Sequence, residues 1–486
     1  MKLTRRSLIR AAGAAGVSMT FIGTASAGDG QARYLVNTRG KRAVGDIEDA
    51  GFDVESELAQ GHVIRVVGPE DGEDDLKRLS SVQSAVADAI FEVNIPEAIE
   101  IVEEEPDAAH EGALFGANQW DKQVTEVPEA LDYATGDGSL VAVIDTGVET
   151  THPDLAANVE LAELVTSLDP VPTDNTPEDN HGHGTHVSGI AAATGELGVF
   201  GTAPDAGIAS FKVFVFTVID GEVVLATTTG DILESIDRAS EIGADAVNLS
   251  LGTLPIPPEG RAERFHTAYE RVIQHATRQG TLVVASSGNS AANLQQGGFF
   301  TVPNSVAGAM SISASAPNDE LTFYSNFGSN EIDVGAPGGG YEDLEKTLCA
   351  FEEWLDAGTP SLITLDPRVP GETGTLWLDE DGVPTNDSEA VVDRVDCTIP
   401  EWPVPFNFVF NAVNGGSWAW FAGTSMSAPQ VAGLAALVRE LNPDLNARQV
   451  EQAIKSGAEG VRGQNDQELG AGRINALNTV QDVADD

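Results

Sequence analysis

Four residues of this chain could together perform acyl transfer: Asp145, His183, Asn289 and Ser425. A serine hydroxyl is a poor nucleophile until an imidazole takes its proton, and that imidazole needs a carboxylate to fix its tautomer and stabilise its charge. A fourth group must meet the negative oxygen that develops on the substrate, and the side-chain amide of Asn289 could donate to it. Each position is marked locally. Asp145 follows the apolar run Leu140-Val-Ala-Val-Ile144, where an aspartate is costly to bury without a hydrogen-bond partner. His183 sits in His181-Gly-His-Gly-Thr-His186, flanked by glycines that leave its ring accessible. Asn289 closes Ser286-Ser-Gly-Asn289, and Ser425 lies in Gly423-Thr-Ser-Met-Ser-Ala-Pro429.

Taken alone, Ser425 reads more simply as the cap of a core helix, because serine is a favoured N-cap. Val431, Ala432, Ala435, Val438 and Leu441 have helical spacing, Pro429 suits a first helical turn, and Gly423 permits a close backbone approach. A hydroxyl at that helix start would feel the positive end of the dipole. The reading of Ser425 as a nucleophile therefore rests on the other three residues.

The elements that must position these groups alternate between strand and helix from Gly116 onward, which predicts an α/β fold with a parallel sheet covered on both faces. Strands are expected at 139–144, 208–214, 246–250, 281–285 and 310–315, and helices at 183–193, 231–242 and 262–279. In such a sheet, functional groups collect beyond the carboxyl ends of the strands, where Asp145 and Asn289 fall. Residues 32–100 predict a smaller α/β module, with strands at 34–37, 62–67 and 90–95 and helices at 45–50 and 74–79. The acidic run 97–111 predicts an exposed linker. Between 337 and 420 the rhythm breaks into Pro, Gly and acidic residues, which predicts an inserted subdomain of β and loop at about 340–413, with short runs at 361–365 and 406–410. Trp354, Trp377, Trp402, Trp418 and Trp420 in or beside it argue for packed structure over a disordered loop.

With 486 residues and 41% apolar content, the chain can build a sizeable core in two or three domains. Its 26 basic and 76 acidic residues give a net charge of −50, which argues against nucleic acid as a partner. Only seven of the basic residues are lysine. A surface so acidic suits concentrated salt, which screens its self-repulsion; the alternative is an acidic protein that uses calcium to offset the charge. Thr4-Arg-Arg-Ser-Leu-Ile-Arg10, the small and apolar run 11–24, and Ala25-Ser-Ala27 together predict a twin-arginine-type signal peptide over 1–27 and export from the cell. The apolar run is short and interrupted by glycines, so no membrane span is expected there or later. In an exported protein the two cysteines, Cys349 and Cys397, predict a disulfide; neither lies in a Cys-x-x-Cys or Cys-His pattern.

Over about 116–472 the sequence resembles the subtilisin-like serine proteases (subtilases), and among them the secreted haloarchaeal halolysin-type enzymes. The motifs that carry the resemblance are Val141-Ala-Val-Ile-Asp-Thr-Gly147, His183-Gly-Thr-His-Val-Ser-Gly189, Asn248-Leu-Ser-Leu-Gly252, Val283-Val-Ala-Ser-Ser-Gly-Asn289 and Gly423-Thr-Ser-Met-Ser-Ala-Pro429. They follow one another in the order Asp, His, Ser. The resemblance implies a three-layer, doubly wound, mostly parallel sheet and an endopeptidase acting on polypeptides. In it Asp145 orients His183, His183 serves as base and then acid, Ser425 forms the acyl-enzyme, and Asn289 with the Ser425 N–H binds the oxyanion. It further implies that Ser250, Leu251 and Gly252 pair with the substrate backbone and that Gly288 lines the pocket for the residue before the cut. No cofactor is needed for the chemistry. Asp154, in Thr151-His-Pro-Asp154, matches a ligand of a structural calcium, although Gly195 stands where relatives carry a side-chain ligand. Residues 28–112 then correspond to a propeptide that is the chain's own partner until it is cut away, and 113–486 to a catalytic domain expected to be monomeric. The insertion before Ser425 would overhang the cleft and narrow its specificity. Two other readings stand beside this one. His181, His183 and His186 could hold zinc in a metallo-hydrolase, or the chain could be a non-catalytic acidic cell-surface binding protein on a degenerate protease fold.

Overall fold

The computed structural model describes residues 18–28, 30–40, 42–95, 99–102, 113–114, 116–257, 260–295, 298–349, 373–378, 393–398, 407–460 and 466–485. The arginine pair Arg5-Arg6 and the run expected as a strand at 361–365 lie outside the described residues. The body is built on seven parallel strands in the order Val159–Leu164, Gly207–Lys212, Leu140–Asp145, Ala246–Leu249, Leu282–Ser286, Ala309–Ser315 and Val334–Pro337. The strand Leu140–Asp145 shows why both faces are covered. Val141 and Val143 enter one core and Ala142 and Ile144 the other, as the two-residue period of a strand requires. The helices His183–Ala192 and Thr424–Leu441 cover the first face, and Thr229–Glu241 and Arg261–Gln279 cover the second. Thr228 caps the helix Thr229–Glu241 by accepting the Asp231 N–H at 3.2 Å.

The N-terminal module has its own core around Tyr34, Val36, Ile47, Phe52, Ile64 and Val66. Its expected strands and helices are present. Two more strands, Asp53–Leu58 and Val82–Ala87, complete an antiparallel sheet with Gln31–Thr38 and Val63–Pro69. The module sits on the second helical face through polar bonds at helix starts and sides. Arg65 pairs with Asp231 at 3.0 Å and with Glu234, Arg264 reaches Glu73 at 2.9 Å, and the Ala59 N–H donates to Asp237 at 3.0 Å. Asp88 accepts the Gly230 N–H at 3.1 Å. Burial pushes the Asp88 carboxyl up to about 7 and that of Asp237 up to about 6.

Three features differ from the sequence-based reading. Ser18–Thr24, within the span expected to be a signal peptide, is a strand paired with Ala89–Asn94. Ile99–Val102, within the expected linker, is a strand paired antiparallel with Ser417–Phe421; its three β-branched residues outweigh the acidic neighbourhood that suggested a linker. Val409–Val413 and Ser417–Phe421 form a hairpin inside the first core, so residues from Phe408 onward belong to the body and not to an insertion. Within the insertion, Thr373–Leu378 and Asp393–Thr398 pair as an antiparallel ribbon, and the second of these strands lies against the helix Leu344–Cys349. The disulfide expected between Cys349 and Cys397 falls on side chains outside those described.

Candidate active site

Asp145 is the last residue of the central strand, and Thr146 and Gly147 form the turn that leaves it. The helix His183–Ala192 begins directly against that turn. A Cβ on Gly184 would lie 2.2 Å from the Gly147 carbonyl oxygen, so only glycine allows this approach. The Thr146 hydroxyl accepts the Gly184 N–H at 2.8 Å. Asp179 holds the helix start from the other side. One of its oxygens accepts the N–H groups of His181 and Gly182, each at 2.8 Å, and the other accepts the N–H and hydroxyl of Thr185 at 2.9 and 2.7 Å. The loop carrying Asp179 is tied down by a buried ion pair. Lys212 Nζ lies 2.5 Å from Asp174 and 2.7 Å from the Glu178 carbonyl, while Asp174 accepts the Phe216 N–H at 2.6 Å.

This framework brings His183 Nδ1 to 2.7 Å from Asp145 Oδ1, with both side chains fully buried. A carboxylate accepts, so the bond puts the proton on Nδ1 and leaves Nε2 as the basic nitrogen. Nε2 is buried without a hydrogen bond among the described residues. Ser425 lies on the helix packed against His183–Ala192, and Phe421, four residues earlier, sets its ring edge-on to His183 at 6.1 Å. In this structure the Ser425 hydroxyl donates to the Ser250 carbonyl at 3.2 Å. Ser425 is the second residue of its helix and not the cap. The cap position belongs to Gly423, at φ 147°, and no side chain caps it. Pro429 correspondingly falls beyond the first turn.

Asn289 is oriented by its neighbour across the cleft. Its Oδ1 accepts both the N–H and the hydroxyl of Thr424, each at 2.9 Å, which turns the amide nitrogen away from Thr424. Thr424 was not singled out by the sequence; its role depends on a contact 135 positions away. Gly288, at φ 99°, approaches Asn326 so closely that a Cβ would meet Nδ2 at 2.6 Å. Ser250 and Leu251 are buried, and the Ser250 hydroxyl points inward to the Ser425 carbonyl at 2.7 Å. The Gly252 carbonyl accepts the Met19 N–H at 3.0 Å, so in the full chain this edge already carries backbone from the N-terminal strand.

The three histidines do not converge. His186 Nε2 donates to the Ala419 carbonyl at 3.1 Å, and burial presses its pKa down to about 3. No group of three His, Cys, Asp or Glu side chains that could hold a metal occurs among the described residues. The zinc reading therefore has no ligand set there. Asp154 is surrounded by donors. Its oxygens accept the N–H groups of Leu197 and Gly198 at 2.9 Å and of Val199 at 3.1 Å, and the Trp418 indole N–H at 2.8 Å. A cation bound to this carboxylate would face those hydrogens, so the residues present do not fit the expected calcium. His152 completes the cluster. Its Nδ1 accepts the Asp154 N–H at 3.1 Å, and its Nε2 donates to the Ser417 carbonyl at 3.0 Å.

Residues 136–376 and 400–472 match the subtilase family of peptidases. Thermitase from Thermoactinomyces vulgaris is 33% identical over 229 residues, which is 46% of this chain and 71% of thermitase. M-protease from Shouchella clausii is 27% identical over 420 residues, covering 83% of this chain and 84% of its own. Among solved structures, the epidermin leader peptide processing serine protease from Staphylococcus aureus superposes with a TM-score of 0.64 at 18% identity over 93% of this chain and 98% of its own, a likeness of fold. The chain belongs to the subtilase family.

Proposed function

We propose that this subtilisin-family serine protease is a secreted, salt-dependent endopeptidase made as an autoprocessed zymogen. The observation that carries the reading is the 2.7 Å bond between Asp145 and His183, fully buried at a helix start that packs on the helix of Ser425. In the proposed cycle Nε2 of His183 takes the Ser425 proton as the hydroxyl attacks the peptide carbonyl, and Asp145 stabilises the imidazolium that results. The amide of Asn289 and the N–H of Ser425 receive the oxyanion. His183 then returns the proton to the leaving amine, an acyl-enzyme forms on Ser425, and water releases it by the same route in reverse.

Asp145, His183 and Ser425 have no exposed surface in the full chain, which supports a zymogen whose N-terminal module must leave before substrate enters. The mature chain is expected to start between residues 111 and 118. A net charge of −50 supports a requirement for molar salt. Among the described residues no helix is long and apolar enough to cross a membrane.

The test compares wild type with Ser425→Ala in high salt, following casein hydrolysis and the N-terminus of the product. Wild type is expected to shed its module and digest casein, and the variant to remain full length and inactive. A wild type that does neither would sink the reading.

A further inference from the structure

We propose that the strand Ser417–Phe421 is a docking edge for the part of a polypeptide substrate that follows the cut bond, extending recognition to roughly three to six residues beyond it. The proposal rests on the protease reading above and adds a surface to it. The strand leads through Ala422, Gly423 and Thr424 directly into Ser425, so its edge is continuous with the site.

One edge of this strand is closed by Val409–Val413. On the other the chain's own Ile99–Val102 lies antiparallel, with Ile99 opposite Trp420 and Val102 opposite Trp418. Ile99 is the end nearer Ser425 in sequence register, and the segment runs away from the site. Upstream, Ala89–Asn94 pairs antiparallel with Ala226–Thr228, in the hairpin that follows Lys212, the partner of Asp145 across the sheet. The same chain thus arrives along the hairpin beside Asp145 and departs along the strand before Ser425. An extended substrate passing the nucleophile would have that polarity.

The strand is held ready for pairing. His152 and His186 donate to the carbonyls of Ser417 and Ala419, and the Trp418 indole is fixed on Asp154. A rigid edge loses little freedom when a second strand adds to it. The side chains of Trp418, Trp420 and Phe421 are already turned into the core. Recognition on this side would then be by backbone and tolerant of sequence, and the partner it fits is any unfolded, extended chain. Ile99–Val102 belongs to the module expected to be removed, and its departure would bare the edge.

The experiment uses the processed enzyme and peptides that share one sequence before the cut and carry one, two, four or six residues after it. The expected result is a kcat/KM that rises about tenfold or more between two and six residues, as two or more added backbone hydrogen bonds would give. N-methylation of alternate amides in the third to sixth positions should abolish the rise, and N-methylation of the intervening ones should not. Cleavage of every peptide with a flat dependence beyond two residues would overturn the docking edge and leave the protease reading intact. Failure to cleave any peptide, or casein, would overturn the protease reading itself.

Discussion

The hydroxyl of Ser250 donates to the carbonyl oxygen of Ser425 at 2.7 Å, in the place of an amide hydrogen that Pro429 does not have. In a regular helix the carbonyl of residue 425 would accept the N–H of residue 429, and proline removes that donor. Asn248 Nδ2 holds the Ser250 hydroxyl in turn at 2.9 Å. The peptide group on the carboxyl side of Ser425 is therefore held from the neighbouring strand end, where its own helix lacks the donor.

Ser250→Ala removes the hydroxyl bond to that buried carbonyl, and a loss of about 1–3 kcal/mol of stability with about a tenfold fall in kcat is expected. Pro429→Ala alone should be near neutral, because it restores a helical donor. Combined with Ser250→Ala it should recover much of the loss. A double-mutant cycle by thermal unfolding and kcat checks this; strictly additive effects would show that the two donors do not substitute for each other.

Thr424→Val removes the hydroxyl that, with the Thr424 N–H, holds Asn289 Oδ1. The amide then loses one of its two anchors, and kcat should fall about tenfold with KM little changed, since in the proposed cycle the amide meets charge that develops only in the transition state. Asn289→Leu should cost about 10²- to 10³-fold in kcat. Thr424→Val in the Asn289→Leu background should add almost nothing. A further large loss in the double variant would assign Thr424 a separate role.

Asp154→Asn places an amide where the carboxylate accepts four N–H donors, and a loss of about 3 kcal/mol or more is expected from the charge-assisted bonds alone. Because the partners are donors of the protein itself, the difference in Tm between wild type and variant should be the same in calcium and in a chelator at fixed ionic strength. A difference that appears only with calcium would place a cation at Asp154.

The module's attachment should weaken as pH rises. Burial raises the carboxyl of Asp88 to about 7 and that of Asp237 to about 6 when the module is docked, from ordinary carboxylate values near 4 when it is free. The docked state therefore binds more protons than the free state between about pH 4 and 7. Docking is strongest below that window, declines through it, and levels off above about 7. The fraction of cleaved module that co-elutes with the body in gel filtration should be higher at pH 5.5 than at pH 8, and Asp88→Asn should flatten the difference. An unchanged slope in Asp88→Asn would assign the dependence to other groups.

Much of the candidate site was legible because its residues lie where buried strands and helix starts meet, and both leave marks in a sequence. Continuous apolar runs such as Leu140–Ile144 mark a strand covered on two faces, and an aspartate at the end of one stands out. The hairpin Val215–Ile219 with Glu222–Thr228 carries a local mark, Asp220-Gly221 between two apolar runs, but it interrupts the alternation of strand and helix on which the sequence-based reading rests. Ser425 was expected to cap its helix and does not, because Gly423 takes the cap position at a backbone angle that other residues avoid. Thr424, Asp179 and the donors on Asp154 could not be read from local spacing. Their partners are set by how distant segments meet.

The clamp between Lys212 and Asp174 is shielded from dissolved salt. Both groups are almost wholly withdrawn from solvent, at 1% and 2% side-chain exposure, so dissolved ions cannot come between them. Exposed pairs such as Arg78 with Asp75 fade as salt rises, whereas this one keeps its strength. The loop that presents His183 is thereby moored by an attraction independent of the medium, and the geometry of the imidazole need not drift between dilute and saturated salt even where the rest of the surface responds.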